Sequence, residues 1–299
     1  MTKSETDPLI RARELDQQVS VLGKLVIPMA KAALADEPKC LKRLAQLGEQ
    51  CRQIGEISVA AEIYGAIAEM NDADSFAVSL NNILNGSFSD DPMVAPDRPA
   101  PFVHVPNFSS GELHAALVSQ TQKDIKLFGQ AGVLDKGQKA SYDNSLRHGS
   151  VLGGNEMLAY KELFLPTLKT SLVSQNILHR LGIAAIEGLR YEVQVTNYTD
   201  GGFFCKHIDA SSKVLQSRIV SYVYYFRREP SSFSGGDLIL YDHGENATGY
   251  TRVRPLDNSI VFFLGTTLHE VLPVFVDSGN PKDGRFTVNG WLHGKQATT

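Results

Sequence analysis

The spacing of hydrophobic positions changes along the chain. Through residues 1–85 Ala, Leu, Ile and Val recur three or four positions apart among Glu, Gln, Lys and Arg, the period of helices that bury one face. Only two aromatic residues, Tyr64 and Phe76, fall in that stretch, and strong helix formers dominate it, so the pattern predicts an all-α domain. From residue 190 onward the runs YEVQV, RIVSYVYYF, DLILY, SIVFFL and RFTVNGW are rich in β-branched and aromatic residues and are punctuated by Gly, Asp, Ser and Pro. These predict strands.

Between the two parts, residues 86–101 (GSFSDDPMVAPDRPAP) carry four prolines in sixteen positions and predict a linker. The second domain then spans 102–299. It opens on a short strand at Phe102–Pro106, followed by a capping box with Ser109 as N-cap and Glu112 reaching back, a helix to about Phe128, and Gly129 as its stop. A second helical pattern ends at Gly182, with Pro166 as a break or kink. In the front domain Leu44, Leu47, Gly48, Cys51, Ala60 and Tyr64 fit a tetratricopeptide-like hairpin over about 40–71. A single copy favours an ordinary helical hairpin over a repeat surface, because repeats bury their faces by stacking.

Composition narrows the partners. Lys plus Arg total 29 against 33 Asp plus Glu, a net charge of −4, without the basic footprint of a nucleic-acid binder. The N-terminus lacks the apolar core of a signal peptide, and the hydropathy predicts no membrane span. Three well-separated cysteines, Cys40, Cys51 and Cys205, suggest neither a disulfide framework nor a zinc knuckle. The expectation is a reduced, cytoplasmic protein.

Candidate chemistry begins in YEVQVTNYTDGGFFCKHIDA. His207 and Asp209 lie two apart at a strand end and so project from one face. Downstream, SIVFFLGTTLHEVLPV places His269 at the end of a strongly apolar strand, a natural third ligand. Two imidazoles and one carboxylate form the facial triad of non-haem Fe(II) oxygenases. On the next strand Arg285 and Thr287 share a face, a guanidinium and a hydroxyl suited to a carboxylate.

The ordered set H-x-D (His207, Asp209), S-G-G-D-L (Ser234 to Leu238), H-E-V-x-P-V (His269 to Val274) and R-F-T (Arg285 to Thr287) resembles Fe(II)- and 2-oxoglutarate-dependent dioxygenases, most closely the prolyl 4-hydroxylase-like subgroup. The resemblance covers about residues 100–295 and leaves out the helical front. It implies an α+β chain whose second domain is a double-stranded β-helix, or jelly roll, with supporting helices. It implies that His207, Asp209 and His269 bind Fe(II), that Arg285 pairs with the distal carboxylate of 2-oxoglutarate, and that Tyr225 and Tyr198 line the same pocket. It places Arg147 beside the active site as a candidate substrate contact. The polar segment Tyr241–Tyr250 is a candidate lid.

The implied activity is hydroxylation of an unactivated C–H bond, with O2 as oxidant, 2-oxoglutarate converted to succinate and CO2, and ascorbate as a further candidate cofactor. Asp209 argues against halogenation, which the resemblance associates with a small residue there. The substrate class is an amino-acid side chain, prolyl-like, within a peptide or protein; the alternative is a free amino acid or other small molecule. Readings from other classes are a zinc hydrolase on the same three ligands, and a non-catalytic scaffold acting through the helical domain. The interval between His269 and Arg285 is longer than the resemblance leads one to expect, because VDSGNPKDG lengthens the turn.

Overall fold

In the computed structural model, which describes residues 8–35, 40–87, 98–134, 140–141, 143–211, 215–244 and 248–296, the chain divides into two compact units. One comprises residues 1–99 together with Tyr241–Val253, and the other comprises Ala100–Leu240 and Arg254–Thr299. The segment Tyr241–Val253 therefore groups with the helical unit, although the sequence assigns it to the second domain. Most of the Pro-rich linker, 88–97, and part of the candidate lid, 245–247, lie outside the described residues.

The helical unit contains α1 (Pro8–Ala35), α2 (Leu41–Gln53), α3 (Ile57–Met70) and α4 (Ser75–Asn85). Leu44, Leu47 and Cys51 of α2 meet Ala60, Ile63, Tyr64 and Ile67 of α3 in one buried cluster, with Val26 and Ala30 of α1 and Leu80 of α4 completing it. Gly48 lets the two helices approach: a Cβ there would lie 3.0 Å from Ile63 and 3.1 Å from Tyr64. The predicted hairpin is present within a four-helix arrangement. Inside the same unit Arg52, fully buried, makes two 2.7 Å hydrogen bonds to the Asp242 carboxylate and two, of 3.0 and 2.7 Å, to Glu49 Oε2, so the inserted segment is tied in by charge. The segment expected to be a lid is thus a structural part of the helical unit.

One expectation needs correcting here. Over Ala12–Ala35, α1 is by length and composition apolar enough to cross a membrane, with 17% of that stretch buried. The charges at Arg13, Glu14, Asp16, Lys24 and Lys31 interrupt the run in the sequence and conceal its mean hydropathy.

The second unit, with the segment it encloses, holds helices α5 (Gly111–Asp124), α6 (Glu156–Ser174) and α7 (Ile177–Arg180). Its strands are β1 (Phe102–Val105), β2 (Phe128–Gln130), β3 (Val133–Leu134), β4 (Ala140–Ser141), β5 (Arg147–His148), β6 (Ser150–Leu152), β7 (Ile186–Tyr198) and β8 (Phe203–His207), then β9 (Arg218–Phe226), β10 (Ser234–Gly235), β11 (Leu238–Tyr241), β12 (Tyr250–Val253), β13 (Ser259–Leu264), β14 (His269–Val271), β15 (Val274–Phe275) and β16 (Arg285–Gln296). A large antiparallel sheet has the order β1-β13-β9-β16-β7-β6-β2, and a smaller one within this unit runs β5-β8-β14-β11. Together they form the double-stranded β-helix expected from the sequence.

The outer face of the large sheet carries the core. Strand β9 alternates: Tyr222, Tyr224 and Phe226 point to α5 and α6, while Ser221, Val223 and Tyr225 point the other way. Phe164 of α6 is fully buried with its ring 5.3 Å from Tyr224, 5.9 Å from Phe108 and 6.1 Å from Tyr222.

Two local expectations shift. The N-cap of α5 is Ser110, whose Oγ accepts from Leu113 N, and not Ser109; Ser109 is drawn into the core, where its Oγ lies 2.8 Å from the Tyr224 hydroxyl and donates to Asn258 Oδ1. The helix ends at Asp124, and Phe128–Gln130 pairs with β6 because Phe128 packs edge-on to Phe286. Pro166 is carried inside α6 without ending it.

Replacing Phe164 by Ala leaves a cavity among three aromatic rings and is expected to cost about 3–5 kcal/mol of unfolding free energy in denaturant titration. A loss below about 1 kcal/mol would show that α6 is not a packed part of this core.

Candidate metal centre

The three expected ligands converge because two short strands pair. Strands β8 and β14 are antiparallel with His207 directly opposite His269. Their ring centroids lie 4.1 Å apart, and Asp209, two residues past His207, completes a cluster whose ligand atoms all lie within 4.8 Å of one another. His269 does not end the apolar strand as the sequence suggested. Strand β13 stops at Leu264, and after a turn His269 opens β14.

Hydrogen bonds decide which atoms are free. His207 Nδ1 lies 2.8 Å from the Cys205 carbonyl and His269 Nδ1 lies 2.9 Å from the Thr267 carbonyl. A carbonyl only accepts, so both Nδ1 atoms carry the proton and both Nε2 lone pairs are available as ligands. Asp209 Oδ2 accepts from Ser221 Oγ at 2.6 Å, and the Trp291 indole lines the same cavity as this carboxylate.

Burial pulls the His207 pKa down to about 3, the facing His269 adds to this, and Asp209 opposes it. For Asp209 burial acts to raise the pKa. The His269 and His207 rings, the Ser221 hydroxyl and the Trp291 indole outweigh burial and hold the group below its ordinary value of 3.8. Near neutral pH the cluster thus offers a neutral His207 imidazole and a buried carboxylate that no Lys or Arg pairs within it. A divalent cation fits that donor set and that unbalanced charge.

Three of the remaining predicted residues line the same cavity, and Tyr225 lies against Arg285. Tyr198, Arg285 and Thr287 surround it with His207, Asp209 and His269. Arg285 is buried; its guanidinium carbon lies 4.9 Å from the Tyr225 ring centroid and 5.4 Å from that of Tyr198. Arg285 Nε and Nη2 and the Tyr225 hydroxyl are buried without a hydrogen-bond partner among the described residues. Burial pushes Tyr225 up to about 12 against the pull of the Arg285 charge, so it stays a neutral donor. Three unspent donors of this kind form a receptor for a carboxylate. Thr287 differs from expectation in one respect: its hydroxyl donates to Asn289 Oδ1 at 3.2 Å.

Gly236 makes room for the guanidinium. Its φ is +72°, and a Cβ there would lie 2.5 Å from Arg285 Cδ. The long interval before Arg285 is absorbed by a short 3-10 turn, Pro281–Asp283, fastened by Asn197 Nδ2 to the Pro281 carbonyl and by an Arg228–Asp283 ion pair. Arg285 emerges in register opposite Tyr198.

Arg147 is buried beside the cluster, its guanidinium carbon 4.8 Å from the Phe204 ring centroid, with contacts of 3.4 Å to the Gly132 carbonyl and 3.5 Å to Gln194. Sequence reasoning missed Gln194, Ser221, Asn289 and Trp291. The alternation that joined Thr287 to Arg285 extends to Asn289 and Trp291, and the alternation on β9 joins Ser221 to Tyr225.

Residues 193–293 match the model of the 2OG-Fe(II) oxygenase superfamily. An uncharacterised PKHD-type hydroxylase of Synechocystis sp. is 32% identical over 203 residues, 66% of this chain and 64% of the relative, so the chain spans a little under two thirds of that protein's length. Among solved structures, a prolyl hydroxylase of Trichoplax adhaerens in complex with a hypoxia-inducible-factor degradation-domain peptide superimposes with TM-score 0.50 and 20% identity, covering 64% of this chain and 83% of that one. A Pseudomonas putida prolyl-4-hydroxylase aligns over 66% of this chain and 94% of its own, with TM-score 0.42 and 20% identity.

The depressed His207 pKa has a consequence for the metal-free protein. Between pH 6.5 and about 3 the unfolded chain binds a proton at this position that the folded chain refuses, so stability is lost as pH falls through that window. Asp209 adds a further loss below its ordinary 3.8. The Tm of the metal-free protein should fall more steeply from pH 6.5 to pH 4 than that of His207→Gln; parallel curves would contradict this assignment.

Proposed function

We propose that the chain is a 2OG-Fe(II) oxygenase of the prolyl 4-hydroxylase-like kind and that it hydroxylates a prolyl-like side chain in a peptide or protein, a reading supported by the family match over residues 193–293 and the PKHD-type relative. The observation that carries the reading is the meeting of two kinds of unspent group: three ligand atoms facing one another in a cavity that Arg285 also lines, and the donors of Arg285 and of the adjoining Tyr225, which have no hydrogen-bond partner among the described residues.

In this account His207, Asp209 and His269 hold Fe(II). With 2-oxoglutarate and O2 the bound iron supplies the oxidising power, giving succinate, CO2 and an oxygen inserted into a C–H bond, and ascorbate serves as accessory reductant. The protein's contribution is placement. Arg285 and Tyr225 grip the distal carboxylate of 2-oxoglutarate, with Tyr198 and Thr287 beside them, and fix its position along the cavity. Tyr198, Phe204, Phe263 and Trp291 present aromatic walls that exclude water. Arg147, with long contacts and a buried Nε lacking a hydrogen-bond partner among the described residues, has donors left for a substrate carbonyl or carboxylate.

The zinc-hydrolase reading leaves Arg285 and Tyr225 without a task, because hydrolysis needs no second carboxylate at that depth. A free amino acid is the competing substrate. Incubation with proline-containing peptides and with free amino acids, Fe(II) and 2-oxoglutarate separates the two. The account expects a mass gain of one oxygen atom on a peptide, dependent on 2-oxoglutarate and absent with Asp209→Ala. It further expects Arg147→Ala to raise KM for the peptide about tenfold, the loss of one charged hydrogen bond, with KM for 2-oxoglutarate unchanged. Oxygen gained by a free amino acid and by none of the peptides would favour the competing class.

A further inference from the structure

The tryptophan Trp291 is the only one in the chain, and it lies between the cluster and a set of charges that the reaction itself does not use. On β16 it stands opposite Ser221 of β9 on one side and Glu192 of β7 on the other. The guanidinium carbon of Arg218 rests 3.5 Å from the Trp291 ring centroid, a close cation–π stack. Arg218 is held in turn by Glu192, at 3.0 and 3.2 Å to its two carboxylate oxygens. Glu192 Oε2 lies 2.7 Å from His293 Nε2, and His293 Nδ1 lies 3.0 Å from Ser217 Oγ. Each member of this row fixes the next, and the row ends at the indole.

The cross-strand pair Trp291 and Ser221 of the large sheet lines the cavity that holds Asp209, just past β8 of the smaller sheet; Ser221 Oγ donates to the carboxylate, and the Trp291 N–H is a second donor on the same wall. Asp209 lies past the end of β8 in a turn, where the backbone is tied by the Ala210 N–H to the Gly265 carbonyl at 2.9 Å and not by a strand ladder such as the one that holds the histidines. Something else must orient it. We propose that Trp291, clamped by Arg218 and Glu192, is a positioning residue that works with Ser221 to fix the Asp209 carboxylate, leaving Oδ1 as the oxygen presented to a metal ion. The inference rests on the metal-centre reading. Its energetic logic is that of outer hydrogen bonds to a ligating carboxylate, whose loss weakens metal binding about tenfold to a hundredfold.

The test is Fe(II) affinity of the full chain, measured without oxygen by competition against a chromophoric chelator, with urea midpoints of the metal-free proteins alongside. Trp291→Phe keeps the ring and its stack and removes the N–H; Ser221→Ala removes the other donor; Ser221→Thr restores a hydroxyl. The expected result is a Kd raised at least about tenfold in Trp291→Phe and in Ser221→Ala, recovery to within about threefold in Ser221→Thr, and little change in the urea midpoints. A structural role would move the midpoints and leave the Kd alone. Wild-type affinity within about twofold in both folded variants overturns the inference and leaves the metal centre standing. If Trp291→Phe does not fold, the Ser221→Ala and Ser221→Thr pair decides. A wild-type chain that binds no Fe(II) overturns the metal centre and this inference together.

Discussion

The site depends on the register of one short pair of strands. His207 and His269 are far apart in sequence and reach each other only because β8 and β14 pair with these two residues opposite. A slip by one residue would turn one imidazole to the other face and abolish the cluster. The slip is resisted from both sides: β14 also pairs with β11 in fixed register, and the Nδ1 contacts of the two rings to the Cys205 and Thr267 carbonyls tie each side chain to its own backbone.

The large sheet supplies the rest by alternation. Its outward residues, among them Tyr222, Tyr224 and Phe226, are spent on packing against helices, and that packing makes the sheet rigid. Its inward residues from β7, β9 and β16 carry the polar groups: Gln194, Ser221, Tyr225, Arg285, Thr287, Asn289 and Trp291. One strand thus does two kinds of work on its two faces. Most of these polar groups are paired; among the described residues Arg285 and Tyr225, with Arg147 on neighbouring β5, have buried donor atoms without a hydrogen-bond partner, left over for a ligand.

Much of this was legible in the sequence, for physical reasons that differ residue by residue. The limits of RIVSYVYYF and SIVFFL match β9 and β13, because a strand buried on both faces is written in continuous β-branched and aromatic residues. His207, Asp209, His269 and Arg285 were found from spacing and from the ordered motifs that resemble a known family. Ser109 and Phe128 were misplaced because tertiary contacts overrode local helix signals: a buried hydroxyl network took the one, and a β-pair took the other. Ser221, Asn289 and Trp291 escaped notice because a serine, an amide and a tryptophan in a strand have ordinary structural uses, and only the fold shows that they face a carboxylate or its neighbours. The apolar length of α1 and the membership of Tyr241–Val253 in the helical unit were equally hidden. The first is masked by interrupting charges, and the second depends on a pairing between Arg52 and Asp242 that no local pattern announces.

The central claim is that one cavity holds both a metal ion and the carboxylates of 2-oxoglutarate. Anaerobic addition of Fe(II) and then 2-oxoglutarate to the metal-free protein tests it directly through the visible charge-transfer band of the chelated complex. The account predicts a band in the wild type, none in His269→Ala, and a band in Arg285→Gln that requires far more 2-oxoglutarate to appear. A folded wild-type protein that shows no band, or an Arg285→Gln variant that titrates like the wild type, would contradict it.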